Sequence, residues 1–267
     1  MKSVSRIYTF LIMFFLYAPL LVMVVFSFNA SNSTSVMSGF SLKWYAELFN
    51  DSATITALKN TLVLAVLSSI ISTVLGTAAA VGIFALKKKW TKSVVMGTTN
   101  IPMMNPDIVT GISMMLLFIF VGQFLGLKNT LGFTTLLIAH ITFNLPYVIL
   151  SVLPKLRQTD PHLAEAALDL GCTPVKAFFK AVLPSISSGI ISALVMAFTL
   201  SLDDFVISYF TTGSSFQTLP IRIFAMTKKR VTPDMYALSS LIFVSVLVLL
   251  ILSNVAQARA EKRSTNK

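Results

Sequence analysis

The chain has 267 residues, a mean hydropathy of +0.81, 55% hydrophobic residues and only 12% charged ones. Soluble domains carry about 25% charged residues, so a soluble enzyme, a disordered chain and a fibrous chain are all excluded. The net charge of +11, from 21 Lys and Arg against 10 Asp and Glu, falls mostly between apolar runs. That placement fits a membrane surface and argues against nucleic acid as the partner. A single cysteine, Cys172, and two histidines permit no internal disulfide and argue against a Cys- or His-based metal site.

Six stretches of at least 22 residues carry no more than one ionisable side chain each: 7–28, 61–86, 94–127, 129–154, 181–202 and 235–258. About 20 apolar residues cross a bilayer as a helix, and a helix satisfies its backbone without water. The expected fold is a single all-α integral membrane domain over 1–267, with spans near 7–28, 61–86, 94–121, 131–153, 184–207 and 236–258. The first run follows Lys2 and Arg6 as a signal peptide would, but it exceeds the usual apolar length and no Ala-x-Ala site follows. It reads as a retained helix. With the N-terminus inside, the inner segments hold fourteen Lys and Arg and the outer segments seven, so both termini are expected in the cytoplasm.

In the second run Ser68, Ser72, Gly76 and Ala80 recur every four residues, a small-residue stripe that permits close helix approach, within the chain or to another subunit. In the third, Asn105-Pro106-Asp107 places an acid about 20 Å into the span at 1.5 Å per residue. The same residues read as a helix cap followed by Pro and an acid in the first turn. In the fourth, His140 and Asn144 lie one turn apart and suit hydrogen bonding between helices.

The inner loop 159–184 is strongly punctuated. Asp160 can cap a helix opening at Pro161, Gly171 stands where a helix would stop, Thr173-Pro174 repeats the start signal, and Pro184 closes a second short helix. Leu163, Ala166, Ala167 and Leu170 form one apolar face. Either a lipid surface or a partner groove would bury it. Glu165 lies near the helix N-terminus, where the dipole favours a carboxylate whatever its role.

Glu165-Ala166-Ala167-x-x-x-Gly171 followed by Leu183-Pro184 resembles the EAA loop of type I ABC-importer permeases, E-A-A-x-x-x-G-x9-I-x-L-P. One position departs, Ala181 standing in place of Ile. Met103–Val109, Ala139–Phe143, Ser201–Val206 and Leu219–Phe224 are similar to the second permease subunit of spermidine/putrescine importers, the PotC type. The resemblance implies a bacterial inner-membrane subunit that does no chemistry on its substrate. Its partners would be a sister permease, a dimer of ATP-binding subunits, a periplasmic polyamine-binding protein and membrane lipid, with no nucleic acid. It implies that Glu165, Ala166, Ala167 and Gly171 couple the spans to the ATPase. No cofactor belongs to this chain on that reading, ATP and Mg being held by the partner ATPase; no phosphate-cradling Gly-x-x-x-x-Gly-Lys-Ser/Thr is present.

A polyamine path calls for carboxylates and aromatic faces, which makes Asp107, Asp203, Asp204, Phe205 and Tyr209 the path candidates. Neighbouring helical residues point about 100° apart, so one of the two Asp would face the path and the other a neighbour. Trp44 and Tyr45 read as interfacial aromatics. With Arg222, Lys228, Lys229 and Arg230 they are the candidates for docking the binding protein. The alternative within the class is an ABC permease for another small solute, such as another cation, an amino-acid-like solute or iron. An ion-driven carrier would show paired repeats with broken helices and would have no use for the 161–183 pattern.

Overall fold

The structure is a computed structural model that describes residues 2–31, 36–127, 129–160, 162–214, 216–228 and 233–265. Among these residues the regular elements are helical, apart from one isolated antiparallel bridge between Asn29 and Phe40. The chain divides into two compact units, 1–59 with 218–250, and 60–217 with 251–267.

The helices are α1 (Lys2–Phe26), α2 (Lys43–Asn50), α3 (Ser52–Ala85), α4 (Lys89–Met104), α5 (Asp107–Phe124), α6 (Phe133–Gln158) and α7 (Leu163–Asp169). They continue with α8 (Pro174–Ala177), a π-helical turn at Phe178–Val182, α9 (Leu183–Ser185), α10 (Ser187–Asp203), α11 (Val206–Thr211), α12 (Leu219–Thr227) and α13 (Pro233–Thr265). Among the described residues, four segments are long and apolar enough to cross a bilayer: Arg6–Phe26, Ser52–Ala85, Asp107–Phe124 and Phe133–Gln158. A fifth arises if Pro174–Ser185 and Ser187–Asp203, bent by 70°, count as one span, while the apolar helix described at Asp234–Val248 is shorter.

Two expected boundaries are corrected. The 94–121 run is not one helix. Asn105 (ψ 137°) and Pro106 (ψ 135°) are extended, so α4 stops and α5 restarts at Asp107. Proline drives the residue before it out of the helical region and donates no N–H. Hydropathy does not register that break. At the other boundary Pro184 does not close a helix. The chain coils on to Ser185 and bends at Ile186, and α10 begins at Ser187 instead of at 184. The widened turn before Pro184, with the Leu183 N–H bonded to the Phe178 carbonyl five residues back, accommodates the missing proline donor.

The core of the 60–217 unit packs α3, α6 and α10 through Ala80, Ile83, Val148, Val152, Ile186 and Ala197. The small-residue stripe is internal: Ser68, Ser72 and Ala80 are fully buried, and a Cβ on Gly76 would stand 2.5 Å from Val148 Cγ1. Beside it, Ser68 Oγ donates to Ser201 Oγ (2.9 Å), which also accepts from Asn144 Nδ2 (2.8 Å). Three helices are thereby tied by hydroxyl and amide bonds, as close-packed spans commonly are. In the 1–59 and 218–250 unit, Leu48, Ala57, Leu219 and Leu238 form the core.

Candidate functional site

The inner loop begins with Asp160 Oδ1 accepting the His162 N–H at 2.9 Å, and α7 opens at Leu163. The start is therefore two residues later than the Asp160–Pro161 signal suggests; Pro161 lies outside the described residues. Glu165 is exposed and bonds His162 Nδ1 at 2.9 Å. That bond, with the charges of Glu165 and Asp160, raises the His162 pKa above its ordinary 6.5. At the far end Gly171 adopts φ +81°. Its N–H bonds the Leu168 carbonyl (2.8 Å) and the Cys172 N–H bonds the Ala167 carbonyl (3.1 Å), a Schellman stop of the kind glycine favours. Thr173 Oγ1 then caps the Lys176 N–H at 3.4 Å.

No α7 side chain is buried, and Leu168, Leu170, Val175 and Phe179 are 41–87% exposed. The loop thus presents an apolar surface on two short helices joined at a fixed glycine corner. Its Glu165 carboxylate and Ala166 are exposed, and Ala167 is partly so.

The two residues of the Asp doublet separate because the helix ends between them, Asp204 being extended (ψ 124°) where neighbouring helical positions are expected. Asp203 ends α10 and is exposed. Asp204 turns inward, its side chain 8% exposed, and accepts the N–H groups of Ser208 (2.8 Å) and Ile207 (3.3 Å). It therefore caps α11. Buried His140 on α6 stands 3.5 Å from Asp204 and 3.0 Å from Ser208 Oγ through Nε2. Asp204 is thus a brace across the α10–α11 break, and Asp203 is the member of the pair left open. Phe205 and Tyr209 follow with ring centroids 5.5 Å apart, Tyr209 46% exposed. Asp107, exposed, opens α5 at the break instead of lying within a continuous span. Ser201 and Ser208, the partners of Asn144 and His140, do not stand out in the sequence. Serines at helical spacing in an apolar run are the signal that marks them.

The docking candidates need the largest revision. Trp44 is only 6% exposed, its indole N–H donating to the Asn29 carbonyl at 2.6 Å. A buried indole needs such a partner, and having one inside the chain takes Trp44 off the outer face. The Tyr45 hydroxyl pairs with Ser27 Oγ at 2.7 Å, and its ring packs on Phe28. Arg222 pairs with Asp51 at 3.0 Å. The Thr54 hydroxyl first, and the Arg222 guanidinium after it, hold the Asp51 carboxyl below its ordinary range against a partial burial that pushes it up. Lys228 is exposed over the Phe224 ring at 4.7 Å. Lys229 and Arg230 lie outside the described residues.

The putrescine transport system permease protein PotI of Escherichia coli K12 is 38% identical over 263 residues, covering 98% of this chain and 94% of that protein. The spermidine/putrescine transport system permease protein PotC is 37% identical in E. coli K12, covering 94% of this chain and 92% of that one. In Haemophilus influenzae PotC is likewise 37% identical, with 92% and 93% covered. The fold is similar to a solved bacterial alginate ABC transporter in complex with an alginate pentasaccharide-bound periplasmic protein, with a TM-score of 0.74 and 18% identity over 97% of this chain and 94% of that one. Residues 72–266 match the binding-protein-dependent transport system inner membrane component. The chain belongs to that family of inner-membrane transport components.

Proposed function

We propose that the chain is a permease subunit of an ATP-driven importer of putrescine or spermidine in a bacterial inner membrane. The observation that carries the reading is the 38% identity to the putrescine permease across nearly both whole chains. In this reading six spans cross the membrane with both termini in the cytoplasm, α13 supplying the sixth. A sister permease completes the path, and a dimer of ATP-binding subunits holds ATP and Mg. A periplasmic binding protein delivers the substrate. The exposed apolar corner of α7 and α8 supports a coupling role for Glu165, Ala166, Ala167 and Gly171, since a partner groove would bury what this chain leaves open. Asp203, with Phe205 and Tyr209, and Asp107 supply the carboxylates and aromatic faces that a desolvated ammonium needs.

The test is ATP hydrolysis by the reconstituted complex with its loaded binding protein, across putrescine, spermidine and unrelated solutes. Stimulation by a polyamine is expected. Stimulation only by another solute keeps the permease and overturns the cargo, and failure of any ATPase to assemble with this chain overturns the coupling role.

A further inference from the structure

Between Asp51 and Asp107 the chain carries no Asp or Glu, yet Lys87, Lys88, Lys89 and Lys92 stand close together there. They follow directly on the apolar run 61–86, at the corner where α3 ends at Ala85 and α4 begins at Lys89. Charges that close an apolar span in this way lie at the level of the lipid headgroups. Lys87, Lys88 and Lys89 are exposed, and among the described residues none of them makes an ion pair. Lys92 is half-buried, its Nζ 5.7 Å from the centroid of the Phe84 ring. The helix on which α4 packs, α6, holds no acid either and carries Lys155 and Arg157 in its last turn. The counter-charge for this corner therefore has no source on α3, α4 or α6.

The helix α4 has two faces. Val95 and Met96 pack against the core that α3, α6 and α10 share. Trp90, Val94, Ile101 and Met104 lie on the other side, since their spacing brings all four to one stripe of a helix, and they are 48–85% exposed. Gly97 falls in the same row, where a Cβ would meet no atom within 4 Å. From the corner onward the free face of α4 thus presents three lysines, an indole and an apolar row. That order matches a phosphate headgroup, the headgroup boundary and an acyl chain.

We propose that the α3–α4 corner is a binding surface for an anionic phospholipid, with Lys87, Lys88 and Lys89 on its phosphate headgroup, Trp90 at the boundary and the row from Val94 to Met104 along an acyl chain. The inference goes beyond the transport reading and holds whatever the cargo. Charge complementarity selects this occupant: a zwitterionic lipid would cover the apolar row equally well and leave the lysines without a net counter-charge. Clusters of basic residues at the end of a span attract anionic lipid in this way, each lysine contributing about fivefold in affinity.

The experiment uses the intact complex in vesicles of phosphatidylcholine, to which phosphatidylglycerol or phosphatidylcholine with brominated acyl chains is added. Bromine quenches an indole it touches. The chain has two tryptophans, Trp44 and Trp90, and the difference between wild-type and Trp90→Phe complexes isolates Trp90, because Trp44 and the indoles of the other subunits cancel. Half-quenching of Trp90 is expected at a mole fraction of phosphatidylglycerol about fivefold or more below that of phosphatidylcholine. Lys87→Gln with Lys88→Gln and Lys89→Gln should erase that preference, and the three Lys→Arg changes should keep it. Equal quenching by the two lipids in the wild type makes the face an ordinary lipid contact and overturns the proposal. Quenching by neither places another subunit on the face and overturns it too, as does a preference that survives the three Gln changes. The wild-type comparison decides even where the Gln variant fails to insert.

Discussion

The two residues of the Asp203–Asp204 doublet should fail differently when each is changed to Asn. Asp204 holds the Ser208 and Ile207 N–H groups at 2.8 and 3.3 Å from a side chain that is 8% exposed. Asn keeps one oxygen for these donors but loses the charge. Bonds to a charged acceptor contribute about 1.5–3 kcal/mol, against about 0.5–1.5 for a neutral one, so two bonds weaken by roughly 2 kcal/mol together. In a chain of this size each kcal/mol moves Tm by about 2–4 °C, which places Asp204→Asn roughly 4–8 °C below wild type. Asp203 is exposed, and a surface change of that kind stays within about 0.5 kcal/mol. Thermal melting of the detergent-solubilised complex, paired with uptake into vesicles, reads both effects. Asp203→Asn should melt like wild type and lose polyamine uptake; Asp204→Asn should lose both. Equal Tm losses for the two variants, or a wild-type Tm for Asp204→Asn, would refute the assignment of Asp204 as the brace.

Gly76→Ala should overpack the α3–α6 contact, where the new Cβ meets Val148 at 2.5 Å, and cost about 1–3 kcal/mol; adding Val148→Ala should raise the melting temperature of that variant, and a double variant no more stable than Gly76→Ala would contradict the contact. Glu165→Gln should lower the His162 pKa toward 6.5, read by NMR titration of a chain with only one other histidine. Because the folded value is raised, the pair's contribution is complete below the unfolded pKa and disappears as pH rises through the folded one. Gly171→Ala meets no atom within 4 Å but must hold φ +81°. The strain costs about 1–2 kcal/mol, so ATP hydrolysis stimulated by the loaded binding protein should drop; Gly171→Asn, which tolerates that region better, should retain more of it, and equal activity in Ala and glycine chains would count against the fixed corner.

Much of the inner loop is legible in the residues themselves. Gly171 ends a helix and Thr173 begins one because capping chemistry is local, a matter of which backbone groups lie within a few residues. The breaks are harder to place. Pro106 and Pro184 are both prolines in apolar surroundings, yet the chain leaves the helix at the first and coils through the second. The difference lies in the widened turn at Phe178–Val182, whose neighbouring packing no pattern of residue types specifies.

Apolar run length by itself determined that this is a helical membrane protein, because the cost of an unsatisfied backbone in lipid leaves helices as the means of spanning for such runs. The EAA-like spacing determined its class for a similar reason, being a short local pattern. Tertiary structure alone decided the roles of individual polar residues. Asp204 and Asp203 are the same residue type one position apart, and the helix break between them together with the approach of His140, 64 positions away in sequence, makes one a brace and leaves the other open. Trp44 was turned inward by the Asn29 carbonyl, and the small-residue stripe on α3 was assigned to packing by Val148. Each of these outcomes depends on which other segment comes within hydrogen-bond or van der Waals reach, a distance that spacing along the chain does not encode.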